Sequence, residues 1–341
     1  MSAFLRVVEP GPLVTVQDRG RPGWQRIGVT PAGAIDPISF AASNALVGNP
    51  LDAAALEFTL IGGAYAAEDG PLRVAVVGAA FPVAVDGTPI APLTSFVLQP
   101  GQKLRIGSAS AGAAGGARGY LAVLGGIETP PVLGSRSTHV RSGFGGLEGR
   151  ALKAGDRLPV ATAMIEGAEL KLDPTLLPAA PARMRVILGP QDDYFTAAGI
   201  ETFLSADFTV STDADRMGYR LAGPVVEHLD GYNIVSDGVG IGAIQVPGNG
   251  QPIVLLADRQ STGGYPKIAG VISVDLAFLA QKRPGDAVRF EQIGMDAAQA
   301  LARERAAFIK SLPGLVKPAL VLSPSAEDLL SVNLISGMVA D

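Results

Sequence analysis

Short apolar runs divided by glycine and proline constrain this fold more than any other feature of the sequence. The chain of 341 residues contains 43 glycines and 26 prolines. The candidate strands between them are Leu72–Val77, Phe96–Leu98, Lys103–Ile106, Arg118–Val123, Met184–Leu188, Ile253–Ala257 and Ala287–Phe290. Apolar runs this short, each followed by a turn, are typical of β-barrels and β-sandwiches rather than of helical bundles. The sequence therefore predicts a mainly β fold.

One turn-and-strand pattern occurs three times along the chain. It reads PGQKLRI at Pro100–Ile106, AGDRL at Ala154–Leu158 and PGDAVRF at Pro284–Phe290. In each copy a proline or small residue precedes glycine, and a polar residue then leads into alternating apolar positions. This order predicts a turn that feeds an outer strand. The repetition suggests two related lobes.

Helices are expected in only a few places. Pro37–Val47 has Asp36 as its N-cap, a proline in its first turn and Gly48 as a left-handed stop. Met295–Leu312 carries apolar residues that share one helical face. A third, short helix is expected after Ser325.

The chain is longer than one typical domain, so we expect it to divide. Strict alternation is lost between Ala161 and Pro181, where alanine and proline accumulate, and a boundary is placed at about Leu170–Pro181. We predict an N-terminal lobe over 1–175, a C-terminal lobe over 176–292 and a helical extension over 293–341.

Composition excludes several classes of function. A net charge of −5 gives no basic surface for a nucleic-acid partner, and no apolar run is long enough to span a membrane. The absence of cysteine removes thiol nucleophiles and cysteine-ligated metals, and fits a reducing, cytoplasmic setting. His139 and His228 are the two histidines, so we expect no metal site. The first residues, MSAFLRVVEPG, lack the apolar stretch of a signal peptide.

Nucleotide-binding motifs receive little support. Gly238–Ala243 fits the loose dinucleotide pattern G-x-G-x-x-A, but the chain continues there as a strand and a turn instead of opening a helix. No G-x-x-x-x-G-K-[ST] occurs, so ATP bound by this chain would not use a P-loop.

Several long motifs in a fixed order resemble the allophanate hydrolase subunit 2 family. They are VQDRGRPGWQRIGVTPAGAID at Val16–Asp36, GSRST at Gly134–Thr138, DRMGYRLAG at Asp215–Gly223, SDG at Ser236–Gly238, and the segment Gly242–Phe290. That family includes the C subunit of prokaryotic 5-oxoprolinase, the KipA proteins and part of the carboxyltransferase region of urea carboxylase. The resemblance covers about residues 5–290 and implies two tandem cyclophilin-like β-barrel lobes with a few short helices.

The segment from Asp258 to Lys267 is the main candidate for catalysis. Asp258, Arg259, Ser261 and Lys267 follow a buried strand, and loops at strand ends carry chemistry on a rigid scaffold. These side chains could supply a base, anion-binding groups and a proton donor, while the Gly-Gly turn lets backbone amides approach a substrate. The alternative is that Asp258 and Arg259 form a pair that ties the loop.

Two further motifs are candidates for substrate binding. Arg19 and Arg21 flank a glycine and could grip a carboxylate or phosphate with paired donors, or belong to an arginine–aspartate turn that holds the N-terminal strand. Arg136 and Ser137 could bind an oxyanion, or form a polar β-turn.

The motif Asp215–Arg220 is the last candidate segment. It contains Arg216 and Tyr219, which we expect to line the cleft or to contact a partner.

The resemblance implies a role as the C subunit of an ATP-dependent 5-oxoprolinase. Such an enzyme opens the lactam of 5-oxoproline to glutamate, and phosphorylation of the amide oxygen would create a leaving group for water to displace. Arg19, Arg21 and Arg259 would hold the substrate carboxylate or a phosphate, Lys267 would stabilise developing charge, and Asp258 would orient or deprotonate the nucleophile. The implied partners are a stably bound B subunit of the KipI type and an A subunit of the LamB/YcsF type. ATP would be bound by those partner subunits or shared with them.

Two alternatives stay open at the level of sequence. The first is the carboxyltransferase component of a urea carboxylase or allophanate hydrolase-type biotin system, with biotin on a separate carrier because no Met-Lys-Met site occurs here. The second is a KipA-like regulatory protein that binds a partner without catalysis.

Overall fold

The computed structural model describes residues 3–110, 115–161 and 164–319. Within these ranges the protein is mainly β, as the sequence predicted, and it has four α-helices. None of these helices is long and apolar enough to cross a membrane. The helices are α1 (Pro37–Val47), α2 (Ala197–Ser205), α3 (Leu276–Ala280) and α4 (Met295–Leu315).

The strands form two successive groups along the chain. The first group is β1 (Phe4–Pro10), β2 (Val14–Gln17), β3 (Ala55–Thr59), β4 (Ile61–Glu68), β5 (Leu72–Gly78), β6 (Val83–Val85), β7 (Thr88–Pro89), β8 (Ser95–Leu98), β9 (Lys103–Ser108), β10 (Arg118–Val123), β11 (Arg157–Pro159) and β12 (Leu170–Lys171). The second group is β13 (Met184–Leu188), β14 (Phe208–Ala214), β15 (Gly218–Ala222), β16 (Asp237–Gly238), β17 (Ala243–Gln245), β18 (Ile253–Leu255), β19 (Thr262–Gly263), β20 (Lys267–Val271), β21 (Ala287–Val288), β22 (Phe290–Gln292) and β23 (Lys317–Pro318).

The first lobe encloses its core between two sheets. One sheet has the order β11-β1-β4-β9-β6-β7, and the other has the order β2-β3-β10-β5-β8. Leu60 alone separates β3 from β4, so the chain passes directly from one sheet to the other. Apolar side chains from both sheets, among them Leu5, Phe58, Leu104 and Leu121, form one buried cluster. Burial of this shared cluster stabilises the two sheets as one unit.

The second lobe is built on one eight-stranded sheet that nearly closes into a barrel. Its order is β21-β14-β15-β18-β17-β20-β13-β22. The two edge strands, β21 and β22, are separated in sequence by Arg289 alone, so the chain itself brings the two edges of the sheet together. Phe203, Phe208 and Phe290 pack in the interior, with ring centroids of Phe203 and Phe290 4.6 Å apart.

The local predictions for strands and helices are largely confirmed. The structure has β10 at Arg118–Val123 and β13 at Met184–Leu188, with the predicted bounds. The cap of α1 is also as predicted, because the Asp36 side chain accepts hydrogen bonds from the amides of Ile38 and Ser39. The strand predicted at Ile253–Ala257 is two residues shorter in the structure, because β18 ends at Leu255.

Two helices were not predicted, and one prediction lies outside the described residues. The N-cap of α2, Thr196, accepts a hydrogen bond from the Gly199 amide and was a readable signal in the sequence. Helix α3 is only five residues long and gives little periodicity. Helix α4 runs three residues past the predicted end, through Pro313. The helix expected after Ser325 falls outside the described residues.

The repeated turn adopts one geometry in all three copies. Gly101, Gly155 and Gly285 have φ of 89°, 90° and 93°, the left-handed conformation that the third residue of a type II turn needs. The next side chain accepts the amide three residues back in each case, namely Gln102 from Gln99, Asp156 from Lys153 and Asp286 from Arg283. The turns precede β9, β11 and β21, so the prediction of a turn that feeds a strand is confirmed.

The C-terminal helix packs on the first lobe. Leu312 of α4 is fully buried in a cluster with Phe40 and Leu46 of α1. Beyond α4, the short strand β23 pairs with β12 in the segment between the lobes. The chain therefore runs from the first lobe to the second and returns. The predicted unit boundaries at 175 and 292 stay predictions.

Candidate functional site

A buried set of charges joins the two lobes, and we call it the interlobe charge network: Glu57, Arg118, Arg216 and Asp258. Arg216 donates from Nε and Nη2 to the two carboxylate oxygens of Asp258 at 2.8 and 3.0 Å. Its Nη1 donates to Glu57 Oε1 at 2.5 Å, across the boundary between the lobes. Arg118 lies on the other side of Glu57, with Nη1 3.4 Å from Oε1. Arg216 therefore links a carboxylate of each lobe.

The charges in this network fix one another's ionisation. Burial alone would raise the pKa of Glu57, but the charges of Arg216 and Arg118 and a hydrogen bond from Tyr120 lower it below its usual value. Burial opposes the charge on Arg216, yet Asp258 and Glu57 raise its pKa overall. The carboxylate of Glu57 is thus ionised and paired inside the protein, where an unpaired charge would be costly.

The lowered pKa of Glu57 predicts a specific pH dependence of stability. Its contribution is fully present above the unfolded value of 4.5 and is lost as pH falls through the lower folded value. Glu57→Gln should lower the free energy of unfolding by about 2–3 kcal/mol at neutral pH, since a charge-assisted bond is lost. Urea unfolding at a series of pH values should show this difference shrinking on acidification.

The comparison of wild type with Glu57→Gln also separates the titration of Glu57 from that of Asp36. Asp36, whose pKa is raised by burial, titrates in both the wild type and the variant, so its effect cancels in the difference. A difference that stays constant down to about pH 3 would contradict the assignment to Glu57.

Arg259 is buried without a carboxylate partner among the described residues. Its Nε donates to the Val239 carbonyl at 2.9 Å, and its Nη2 donates to Gln25 Oε1 at 2.7 Å. Gln25 belongs to the first lobe and also donates to the Val239 carbonyl. Burial lowers the pKa of Arg259 to about 10. The guanidinium therefore stays charged at neutral pH and contributes to a second contact between the lobes.

Asp18 is hydrogen-bonded to residues of both motifs that were candidates for substrate binding. Its Oδ1 accepts hydrogen bonds from the Gly20 amide and from the hydroxyls of Ser135 and Ser137, at 2.7, 2.6 and 2.5 Å. Its Oδ2 accepts the amide of Arg136 at 2.6 Å. The motifs at Gly134–Thr138 and Val16–Asp36 are thus tied to each other. The side chain of Ser137 is occupied by this structural role.

Arg21 and His139 lie beside that cluster. The Arg21 side chain is 1% exposed and lies over the Phe144 ring, with its Cζ 4.9 Å from the ring centroid. Its Nη1 has no hydrogen-bond partner within the described part of the chain. His139 Nδ1 accepts the Ser142 amide, which leaves Nε2–H to donate to the Thr30 hydroxyl at 3.0 Å. Burial lowers the pKa of His139, so the ring is neutral.

The remaining candidate side chains do not converge with Asp258. Lys267 Nζ pairs with Asp237 at 2.7 Å, and the Tyr219 hydroxyl donates to the Ala280 carbonyl in the core. Arg19 is 70% exposed and lies 3.7 Å from Asp52. Arg136 pairs with Glu128 near the surface. Ser261 lies near Gly28 of the first lobe, and its side chain is half-buried. Their predicted roles stay predictions.

A polar cavity of about 690 Å³ lies on the outer face of the second-lobe barrel. We call it the outer-face cavity; its lining includes Asp213, Asp215, Arg220, Gln245, Gln260 and Tyr265. Its floor is Leu255 beside Gly218, which pair across β15 and β18. Most of these residues come from two of the motifs quoted above, Asp215–Gly223 and Gly242–Phe290. Asp215 and Gln260 directly neighbour Arg216 and Arg259 in the chain. This volume lies within the range of small-molecule sites, about 300–1,000 Å³.

The covering of this face places the backbone of Gly263 close to the side chain of Gln245. The short ribbon of β16 and β19 lies over the barrel near Gln245. A Cβ at Gly263 would lie 2.4 Å from Gln245 Nε2 and 3.2 Å from Val239. A larger residue at position 263 would therefore require the Gln245 side chain to move.

Sequence reasoning did not single out Arg220 or Gln245, although a signal for Arg220 existed. In Gly218–Ala222 the apolar Tyr219 and Leu221 alternate with Arg220, which places the arginine on the outer face. Gln245 had no such signal, because the strand β17 is only three residues long and wholly buried.

Comparison with known proteins now places the chain in a family. Residues 27–292 match the family described as "Carboxyltransferase domain, subdomain A and B". The chain belongs to this family. The resemblance inferred from the motifs is confirmed.

This carboxyltransferase-domain protein has relatives of nearly its own length. It is 37% identical to the C subunit of 5-oxoprolinase from Escherichia coli (strain K12) over 312 residues, which are 91% of this chain and 97% of the relative. It is 35% identical to the C subunit of 5-oxoprolinase from Haemophilus influenzae over 304 residues, with 89% and 95% covered. Both alignments take in both lobes.

A solved structure shares the fold. The crystal structure of the K. lactis urea amidolyase superposes with a TM-score of 0.82 and 29% identity over 95% of this chain. The match spans only 20% of that protein, so this carboxyltransferase-domain chain corresponds to one part of a much larger polypeptide.

Proposed function

We propose that this chain is the C subunit of an ATP-dependent 5-oxoprolinase, which hydrolyses 5-oxoproline to glutamate together with its A and B subunits. The observation that carries the proposal is the similarity to the C subunit of the E. coli 5-oxoprolinase over 97% of that protein's length. A match over nearly the whole relative includes both lobes and the surfaces between them, not a shared domain alone. The outer-face cavity supports this function, since it has room for a small substrate.

The partners in this proposal are a KipI-type B subunit, bound as a stable heteromer, and a LamB/YcsF-type A subunit. The charges of the interlobe network are paired with one another inside this chain. Reactive groups that complete the site are therefore expected from a partner chain facing the outer-face cavity.

ATP does not fit the outer-face cavity of this chain. A triphosphate carries several negative charges, whereas the lining brings one guanidinium, Arg220, and two carboxylates, Asp213 and Asp215. Like charges facing an anion in a confined site oppose its binding. We therefore assign ATP binding to the partner subunits and derive no step through ATP on this chain.

A second function remains supported by a specific observation. The family description and the superposition on urea amidolyase favour carboxyl transfer to an amide. In that case biotin would arrive on a separate carrier, and the outer-face cavity would receive the acceptor amide. The notion of a purely regulatory binding protein has no comparable observation in its favour.

Reconstitution tests the proposal directly. Glutamate release from 5-oxoproline and ATP should require this chain together with its A and B subunits, and omission of any one component should abolish turnover. Glutamate release would be followed by a coupled assay, with ADP formation measured in parallel.

The contrary outcomes point to different functions. Bound, folded partners without glutamate release would reject the 5-oxoprolinase assignment. Carboxylation of urea in the presence of a carboxybiotin carrier would then establish the second function. Full activity from the A and B subunits alone would show that this chain is regulatory.

A further inference from the structure

The β14 strand bulges beside the outer-face cavity. In the pairing of β14 with β15, Val210 faces Leu221 and Ala214 faces Tyr219. Three residues, Ser211–Asp213, therefore stand opposite the single Arg220. Bulges of this kind bend an edge outward and often lie next to functional sites. Here the bulge forms one wall of the cavity, and the ribbon that carries Gln260 and Tyr265 forms another.

A polar row crosses the barrel under this cavity. Arg220 pairs with Ile253, Ile253 with Gln245, and Gln245 with Lys267, so the four side chains share the outer face. The neighbouring row, which includes Tyr219, Val254 and Ile244, faces the core. This outer row therefore carries two cations and an amide, of which Arg220 and Gln245 line the cavity.

Only one of the two cations is available. Lys267 is 3% exposed and already paired with Asp237. Arg220 is exposed and lines the cavity, and none of the ion pairs between described residues involves it. A guanidinium presents paired donors that match a carboxylate. Arg220 is thus the anion-binding group of this cavity.

Two side-chain amides lie across the cavity from that cation. Gln260 Nε2 donates to Gln245 Oε1 at 3.3 Å, and Gln245 Nε2 donates to the Tyr265 carbonyl at 3.3 Å. This chain of bonds sets the orientation of both amides. It leaves Gln260 Oε1 and one N–H of Gln260 to pair with the N–H and C=O of a ligand amide.

The acidic wall limits the charge of the ligand. Asp215 Oδ1 accepts the amides of Met217 and Gly218 at 2.7 and 3.2 Å, which fixes this carboxylate at the rim. Asp213 is exposed on the bulge. With two carboxylates beside one guanidinium, the cavity accepts a single negative charge and opposes a polyanion.

We propose that the outer-face cavity binds a small amide bearing one carboxylate, with Arg220 holding the carboxylate and the Gln245–Gln260 pair recognising the amide. The proposal rests on the proposed function, because 5-oxoproline is a lactam with one carboxylate. It adds where on this chain the substrate binds and which residues select it.

The test is binding and turnover of 5-oxoproline by Arg220→Gln. In the complex with the A and B subunits, KM for 5-oxoproline should rise at least about tenfold, the loss expected for a charge-assisted hydrogen bond, with a smaller change in kcat. Calorimetric titration of 5-oxoproline into the full chain, alone and with its partners, should show the same loss of affinity. The lactam 2-pyrrolidinone, which has no carboxylate, should bind wild type and variant equally.

A matched control replaces another exposed arginine. Arg289→Gln removes a guanidinium that pairs with Asp207 between β21 and β22, away from the cavity lining, and should leave KM unchanged. Circular dichroism would establish that both variants fold.

The outcomes separate this proposal from the function on which it rests. Normal KM and affinity in Arg220→Gln, with an active wild-type complex, would overturn the cavity assignment and leave the 5-oxoprolinase function standing. An inactive wild-type complex that still binds 5-oxoproline through Arg220 would keep the cavity and reject the function. No binding of 5-oxoproline in either setting would overturn the assignment of the ligand.

Discussion

Replacing Arg216 with methionine should lower the free energy of unfolding by about 3–5 kcal/mol, because it leaves two buried carboxylates without their shared partner. Asp258 and Glu57 both contact the Arg216 guanidinium, and all three side chains are at most 6% exposed. The loss should be measured by urea unfolding at neutral pH.

The control for this variant is an ion pair on the surface. Arg289 and Asp207 are 48% and 57% exposed, so Arg289→Met should leave the unfolding midpoint nearly unchanged. A loss of less than about 1 kcal/mol in Arg216→Met would show that the two carboxylates find other partners or water. Partial recovery in Glu57→Gln combined with Arg216→Met would confirm that the two residues act as a pair.

Replacing Asp18 with alanine should cost at least about 3 kcal/mol, because four hydrogen-bond donors lose their acceptor at once and each unpaired buried donor costs about 1–3 kcal/mol. The donors are the amides of Gly20 and Arg136 and the hydroxyls of Ser135 and Ser137. Thermal and urea unfolding should both report the loss.

Two further variants sharpen that result. Asp18→Asn keeps one acceptor oxygen and should recover part of the stability. Asp173 also accepts local bonds, from the amide and hydroxyl of Thr175, but it is exposed, so Asp173→Ala should have little effect on the unfolding midpoint. Normal stability in Asp18→Ala, with loss of substrate binding instead, would contradict a structural role for this cluster.

The elements that sequence predicted well are those specified by neighbouring residues. The helix α1 has its cap, its first-turn proline and its left-handed stop within one short segment, and its bounds agree with the prediction. The repeated turn is likewise local, since a glycine at the third position and a polar residue after it suffice.

The candidate functional site could not be predicted in this way, because its residues lie far apart in the sequence. Ser137 lies 119 positions from Asp18, and Arg216 lies 159 positions from Glu57. No periodicity or motif spacing reports a contact over such separations. The alternative of an arginine–aspartate turn that holds the N-terminal strand comes closest to what Asp18 does, although its partners come from the GSRST motif. Arg220 could have been found from strand alternation, since it faces away from Tyr219 and Leu221.

The return of α4 to the first lobe has a consequence for how the chain folds during synthesis. Leu312 fills the cluster against Phe40 and Leu46, so the first lobe lacks part of its interior until the ribosome has made α4. The first lobe leaves the ribosome early, but its packing is complete only after α4 has been synthesised. We expect nascent chains that end before Met295 to expose this apolar surface and to engage chaperones. Deletion of α4 from the folded protein should lower the stability of the first lobe, although the second lobe is nearer to α4 in the sequence.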